Sequence, residues 1–377
     1  MLPLRYGVGS DYHWGNMRLD AGRMLAGHRK FFHPVLKTLN LLFINGDWFD
    51  AGIELVGKSS PDIMSGTIEL LEECNRLGLT IRIVQGTWTH DRNQLFLFET
   101  LHAGGKYTNN LKLIRAVSLE YIEEFDMRVL YIPDDMPYGS SDELMEDVAK
   151  QMADLGWDYV DLAFVHGTFE HVVPPNVAKD IKIVFRREQF GFVRYNIHCG
   201  HIHTPSTRWN IYYNGSFDRN AHGEEEAKGF LTVDFDGKKS NVTFIENEYA
   251  TIFKTFDYTR HEDLDILTEQ FLKDVRALPD DQKIFVRVVH PKREVRAGLG
   301  KLCSSKFKHI VYTHKEVAGV EDETDYVTPE EIPEQTVLLP PTPENLPNLI
   351  LEHITPTDGT SPISLERVNE LLEKLSA

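Results

Sequence analysis

Cysteine is scarce in this chain: Cys74, Cys199 and Cys303 are odd in number and far apart among 377 residues. That excludes a disulfide framework and fits a reducing compartment. Long apolar runs are missing too. None approaches the ~20 residues needed to cross a bilayer, so no membrane partner is expected. The opening Met1-Leu2-Pro3-Leu4-Arg5-Tyr6 enters a strand-like segment without the apolar region of a signal peptide. The expected location is therefore cytoplasmic (the host cytoplasm if the source is viral). Positive charge is the third shortage. Lys and Arg number 40 against 58 Asp and Glu, a formal net charge of −18, which suits divalent cations and opposes phosphate backbones over most of the surface.

What is present is an ordinary globular composition, 41% hydrophobic and 26% charged, in a chain long enough for more than one domain. Strand-like runs at 4–9, 41–44 and 79–85 alternate with helix-like stretches at about 17–38 and 61–77, a pattern of parallel strands with crossover helices. Ser60-Pro61 opens the second helix and Gly78 closes it. Further runs at 111–114, 117–121, 127–132, 159–165, 181–185, 195–199, 210–213, 230–235 and 241–245 make the next part richer in strands. Two sheets face to face with helices outside account for residues 1–250.

Residues 251–316 form a small α/β accessory domain: a helix at 261–277, then strands at 284–289 and 309–312. Nine Lys/Arg against the single acid Glu294 fall between Lys283 and Lys315, a basic face on an acidic chain. From Val317 to Asn348 there are six prolines, eight acids and no Lys/Arg, so 317–345 is an extended acidic linker. In the tail, 346–377, Leu346, Leu349, Ile350 and Ile354 share one helical face, and Leu365, Val368, Leu372 and Leu375 another. That tail either folds back on its own domain or docks on a partner.

The chemistry gathers just past strand ends, where reactive groups collect in open α/β sheets. Asp11 and His13 follow the first run, and Asp47, in Asn45-Gly46-Asp47-Trp48-Phe49-Asp50, follows the second. Gly86-Thr87-Trp88-Thr89-His90-Asp91 follows the third, His166 the run at 159–165, and Gly200-His201-Ile202-His203 the run at 195–199. Taken alone, His166 reads as a hydrogen-bonded core histidine. His201 and His203 would point to opposite faces of a strand, so two ligands from that segment require a turn, which Gly200 permits. Carboxylate and imidazole donors without thiolates suit Mn²⁺, Fe²⁺ or Zn²⁺ better than Ca²⁺. Asp50, His171 and His198 are at most candidates to support the ligands from behind, and an ordinary structural role is the expectation for each.

The order Asp-x-His, Gly-Asp-x-x-Asp, Gly-…-His-Asp, His, Gly-His-x-His resembles the calcineurin-like metallophosphoesterase superfamily. The continuation Tyr213-Asn214-Gly215-Ser216-Phe217-Asp218-Arg219, His222-Gly223-Glu224 and Lys228-Gly229-Phe230 is similar to SbcD-type DNA repair nucleases and their bacteriophage relatives. The resemblance implies a four-layer α-β-β-α sandwich with a small capping domain and a helical tail. It implies two divalent ions, with Mn²⁺ expected and Mg²⁺, Fe²⁺ or Zn²⁺ as alternatives, bridged by Asp47. One would be held by Asp11, His13 and His203. The other would be held by His166, His201 and a ligand from the third motif, where Thr89 stands in place of the usual Asn and Thr87 is a substitute. His90 would be general acid or transition-state stabiliser, oriented by Asp91.

Lys292, Arg293, Arg296 and Lys301 are the expected DNA contacts. A homodimer working with an SbcC-like ATPase, bound through the C-terminal helices, is the implied assembly. Two other functions stay open: a phosphoesterase for nucleotides, cyclic nucleotides or phosphoproteins, and a non-catalytic DNA-end scaffold.

Overall fold

The computed structural model describes residues 4–315, apart from 51, 54–57, 108, 135, 179–180 and 262, and apart from the side chains of 106 and 175. The acidic linker and the tail helices lie outside the described residues. The fold is mixed α/β. The chain lays down β1 (Leu4–Gly9), β2 (Leu41–Asn45), β3 (Thr80–Val84) and β4 (Leu111–Ile114) as parallel neighbours. It then builds β5 (Ser118–Ile122), β6 (Met127–Ile132) and β7 (Val160–His166), a short pair β8 (Thr168–Phe169) and β9 (Val184–Phe185), and β10 (Val193–Gly200), β11 (Ser206–Arg208) and β12 (Ile211–Tyr213). It returns to the first sheet with β13 (Gly229–Phe235), antiparallel to β1, and β14 (Ser240–Glu246). The sheet orders are β14-β13-β1-β2-β3-β4 and β11-β12-β10-β7-β6-β5.

β2, β3 and β7 are buried at every residue, as strands covered on both faces must be, which is why they read as unbroken apolar runs. Tyr6, Val8 and Phe43 of the first sheet pack with Val129, Tyr131, Leu162 and Phe164 of the second, the Phe43 and Phe164 rings stacked at 3.6 Å. Polar ties cross the same interface. The Arg82 guanidinium grips Glu120 at 2.7 and 2.8 Å, and the Asn45 amide donates to the carbonyls of Val165 and His198, both at 3.1 Å. These bonds satisfy groups that would be costly to bury alone, and they set β2 in register with β7 and β10.

The helix Ser60–Leu77 takes Pro61 in its first turn and ends on Gly78 at φ 65°, as the sequence predicts. It packs Ile63, Leu70, Leu71 and Cys74 with the helix Ala21–Gly27 on the outer face of the first sheet. The stretch at 17–38 is shorter and less regular than expected. It starts on an Asp20 cap, and passes through a π-helical turn at His28–Phe32. Besides short helical turns, two long helices stand where the sequence reading places none, Ser141–Asp154 and Arg293–Lys306. The first covers the second sheet with Leu144, Val148 and Met152.

Residues 252–315 have a core of their own. A parallel sheet, β15 (Ile252–Asp257), β16 (Ile284–Val289) and β17 (Ile310–Lys315), is covered by Leu267, Phe271 and Val275 of the helix Leu264–Arg276 and by Leu299 and Cys303 of the helix Arg293–Lys306. Among the described residues no helix is long and apolar enough to cross a membrane.

Candidate metal centre

Six strand ends point at one place. Past β1 and β2 the chain continues as two adjoining segments: the Asp11, His13 and Trp14 amides donate to the carbonyls of Gly46, Asp47 and Trp48, each at 3.0 Å. Asp11, His13, Asp47 and His201 all take left-handed φ, 52°, 52°, 50° and 81°. For non-glycine residues that conformation is uncommon and costs energy that surrounding packing must supply. Its concentration on four expected ligands marks the site. The turn at His201 also answers the parity problem: it brings His201 and His203 to one side, as Gly200 at the end of β10 allows.

The donors converge in overlapping groups whose ligand atoms lie within 4.8 Å of one another: Asp11, His13 and His203; Asp11, Asp47 and His166; Asp134, His166 and His201; and His13, Asp50 and His90. Asp47 Oδ2 faces donors of more than one group, 3.9 Å from His13 Nε2 and 3.3 Å from His166 Nε2. Its Oδ1 accepts from the Thr87 amide at 2.6 Å. Gly46 is required here: at φ 89°, a Cβ would sit 1.9 Å from His166 Nδ1.

Two of the imidazoles, His166 and His203, are oriented by a hydrogen bond at their other nitrogen, the usual support of metal-binding histidines. His166 Nδ1 bonds Asn45 O at 2.8 Å. That leaves Nε2 buried with no hydrogen-bond partner among the described residues, although Asp47 is close. His203 Nδ1 bonds Glu224 Oε1 at 3.0 Å, and His13 Nδ1 lies 3.3 Å from Asp50 Oδ1. His13 Nε2 and His203 Nε2 stand 3.0 Å apart, and with the protons on the two Nδ1 atoms that face carboxylates both would present lone pairs. Two lone pairs at that spacing are reconciled by a cation bound to both. The residues present thus fit divalent metal, and the donor set of imidazoles and carboxylates fits Mn²⁺, Fe²⁺ or Zn²⁺.

The electrostatics follow. Burial works to raise the Asp47 carboxyl, yet the His166, His13 and His90 rings hold it well below the usual carboxylate range. Partial burial works to raise Glu224, but its bond to His203 and the Lys228 ammonium bring it down to about 2. The bond from Asp50 raises His90 above its ordinary value, against partial burial.

Several expected roles change. Asp91 does not orient His90. Its buried carboxylate accepts the amides of Gly86, Asp47 and Phe49 at 2.8, 3.1 and 3.1 Å, pinning the loops after β2 and β3 together. Burial and the nearby Asp47 push that carboxyl up to about 7. The orienting partner of His90 is Asp50, 2.9 Å from its Nδ1, which also faces His13. Asp50 therefore belongs to the site and is no ordinary structural residue. Thr89 is exposed on the short helix Trp88–Asp91, and the hydroxyl that reaches the donors is that of Thr87. His198 is structural, bonded to Tyr6 Oη at 3.0 Å between the sheets. His171 packs against Trp209 and Tyr213.

On the small domain Lys292, Arg293 and Lys301 are exposed. Arg296 is buried instead, its Nη1 donating to the carbonyls of His290 and Pro291, so it is not available as a DNA contact. Asp134 and the Asn45 carbonyl were legible only in part. Asp134 follows β6 by two residues, the same strand-end position that marks the other donors.

No family model matches the chain, and no curated protein matches it. Among solved structures it is similar to GAP50, the anchor in the inner membrane complex of Plasmodium, at 16% identity over 65% of this chain and 85% of that one, with a TM-score of 0.37. A second solved structure shares 10% identity over 65% of this chain and 100% of its own, with a TM-score of 0.36.

Proposed function

We propose that this chain is a metallophosphoesterase of the calcineurin-like type, acting as a Mn²⁺-dependent DNA nuclease akin to SbcD-type subunits. The observation that carries the reading is the meeting of Asp11, His13, Asp47, His166, His201 and His203 at one site, with Asp47 facing donors of more than one group. The inter-sheet core and the outer helices support a four-layer α-β-β-α sandwich, and the separate core after Ile252 supports a capping domain. By the same reading, the tail at 346–377 docks an SbcC-like ATPase, and the working assembly is a homodimer.

Two divalent ions held by these residues supply Lewis-acid activation of water and charge neutralisation at a phosphodiester. The protein does the rest. The Thr87 amide fixes the direction of the Asp47 carboxylate. Asp50 holds His90 by Nδ1, so that its Nε2 is the atom free to donate a proton to the leaving oxygen. Asp91 keeps the loops that carry both residues from separating. Lys292, Arg293 and Lys301 offer phosphate contacts on a chain that repels DNA elsewhere.

A second reading, a phosphoesterase for a small nucleotide, draws on a cavity of about 260 Å³ bordered by Asp134, Thr168, Lys182 and His201. Cleavage of end-labelled linear duplex DNA in Mn²⁺ by the natural chain and by Asp47→Ala separates the two. Ladders from the first that vanish in the second are expected. Hydrolysis of bis(p-nitrophenyl) phosphate without any DNA cleavage favours the second reading, and silence on both substrates points to the non-catalytic scaffold.

A further inference from the structure

The third strand-end motif leaves the second subsite one donor short. His166 and His201 converge there and Asp47 Oδ2 reaches His166 Nε2 at 3.3 Å, while Thr89 is exposed and offers nothing. The gap is filled from the opposite sheet. We propose that Asp134, carried past the end of β6, is the closing protein ligand of the second cation, and that the Thr87 hydroxyl holds it in place. This rests on the metal-dependent reading above.

The geometry supports this at three points. Asp134 offers an oxygen within 4.8 Å of the donor nitrogens of both His166 and His201, and its Oδ2 lies 3.9 Å from His201 Nδ1. Donors bound to one ion at about 2.1 Å each are separated by up to about 4.2 Å, so a small closing movement suffices. The backbone is anchored independently of any ion, because the Asp134 amide donates to Gln85 O at 3.3 Å, across from β6 to the end of β3. Finally, Thr87 Oγ1 lies 2.9 Å from Asp134 Oδ2 and 3.4 Å from Asp47 Oδ2, between the carboxylates of the two sheets. The donor awaiting a partner is His166 Nε2, fully buried and aimed into the same subsite.

The chemistry differs from that of an amide ligand. A carboxylate adds a formal negative charge to the subsite, giving Asp11, Asp47 and Asp134 as three anionic donors for two dications. Harder ions such as Mn²⁺ gain most from an added carboxylate. Thr87 then acts as a positioning residue: its hydroxyl donates to Asp134 while its amide donates to Asp47.

The test is Mn²⁺ titration of the metal-free full chain by calorimetry, with low-temperature EPR reading the exchange coupling between two neighbouring Mn²⁺ ions. The natural chain should bind two ions and show the coupled spectrum. Asp134→Ala should lose the coupled spectrum and weaken the second ion at least tenfold while keeping the first. Asp134→Asn, which restores an amide oxygen, should fall between them, and Thr89→Ala should match the natural chain. Melting in EDTA controls for folding, and Asp134→Asn carries the comparison if the alanine variant does not fold.

Two ions bound by Asp134→Ala with natural affinity and coupling would overturn the assignment and leave the metal-dependent reading intact. Loss of coupling in Thr89→Ala would overturn it in favour of the third motif. Fewer than two ions in the natural chain would sink both this assignment and the two-metal reading.

Discussion

The half of the site around Asp11, His13 and His203 and the half around His166, His201 and Asp134 are braced by different chemistry. In the first, the supporting groups are carboxylates: Glu224 behind His203 and Asp50 beside His13. In the second they are neutral, the Asn45 carbonyl behind His166 and the Thr87 hydroxyl beside Asp134. A carboxylate raises the basicity of the ring it faces, whereas a carbonyl mainly sets its tautomer and direction. The first half therefore has carboxylates behind its rings, and the second has a backbone carbonyl and a hydroxyl. That carbonyl, which holds His166, belongs to Asn45, whose side chain ties the sheets together.

Asp47→Ala should erase the comparison, since the residue serves both halves. The expected result is loss of tight Mn²⁺ binding at both and a fall of more than about a thousandfold in phosphodiester hydrolysis, read by calorimetry and turnover. Gly46→Ala should separate them. The added Cβ strikes His166 Nδ1, so the second ion is lost with the first retained; equal weakening of both would contradict separate support of the two halves.

Asp50→Asn should lower turnover about 10- to 100-fold by releasing His90, with the number of bound ions unchanged. A loss confined to metal affinity would make Asp50 a brace for His13 alone. Glu224→Gln should weaken only the first ion, by about tenfold.

The smallest effect lies outside both halves, in two core histidines. Burial drives His28 well below its ordinary value and His198 down to about 3. Below pH about 6.5 the unfolded chain protonates these rings and the folded chain does not. Stability is complete above that pH and is lost as pH falls towards about 3, by roughly 1 kcal/mol for each ring over the first unit. Asp91 and His166, raised in the folded state, act in the opposite direction over the same range. The measurement is therefore the difference in urea midpoint between pH 7.5 and 5.5, in EDTA, for the natural chain against His198→Asn. An identical difference in the two would mean that the folded protein accommodates the proton on His198.

Legibility in the sequence follows the range of the interaction concerned. Buried parallel strands need continuous apolar runs, so β2, β3 and β7 stand out, and the donors just beyond them come into view in order. The same rule reaches Asp134, which stands two residues past β6, but nothing local separates it from a surface acid. The helix Ser141–Asp154 has a Ser140 cap and apolar residues four apart, a readable pattern between more conspicuous strands. Arg296 illustrates the reverse error: a basic cluster in sequence is not a basic face, because one helix turns that side chain inward.

By itself the sequence determined the strand runs, the glycines that let the turns close, and the identity and order of most donors, because each depends on side-chain type and spacing within one segment. Tertiary structure alone decided that Asp50, not Asp91, holds His90, that Thr87 faces inward in place of Thr89, and that Asn45 and Asp134 complete the second half. Those pairings join residues 40 to 121 positions apart: Asp50 and His90 meet across neighbouring strand ends of the first sheet, and the contacts of Asp134 with Thr87 and of Asn45 with His166 arise only once two sheets are pressed face to face.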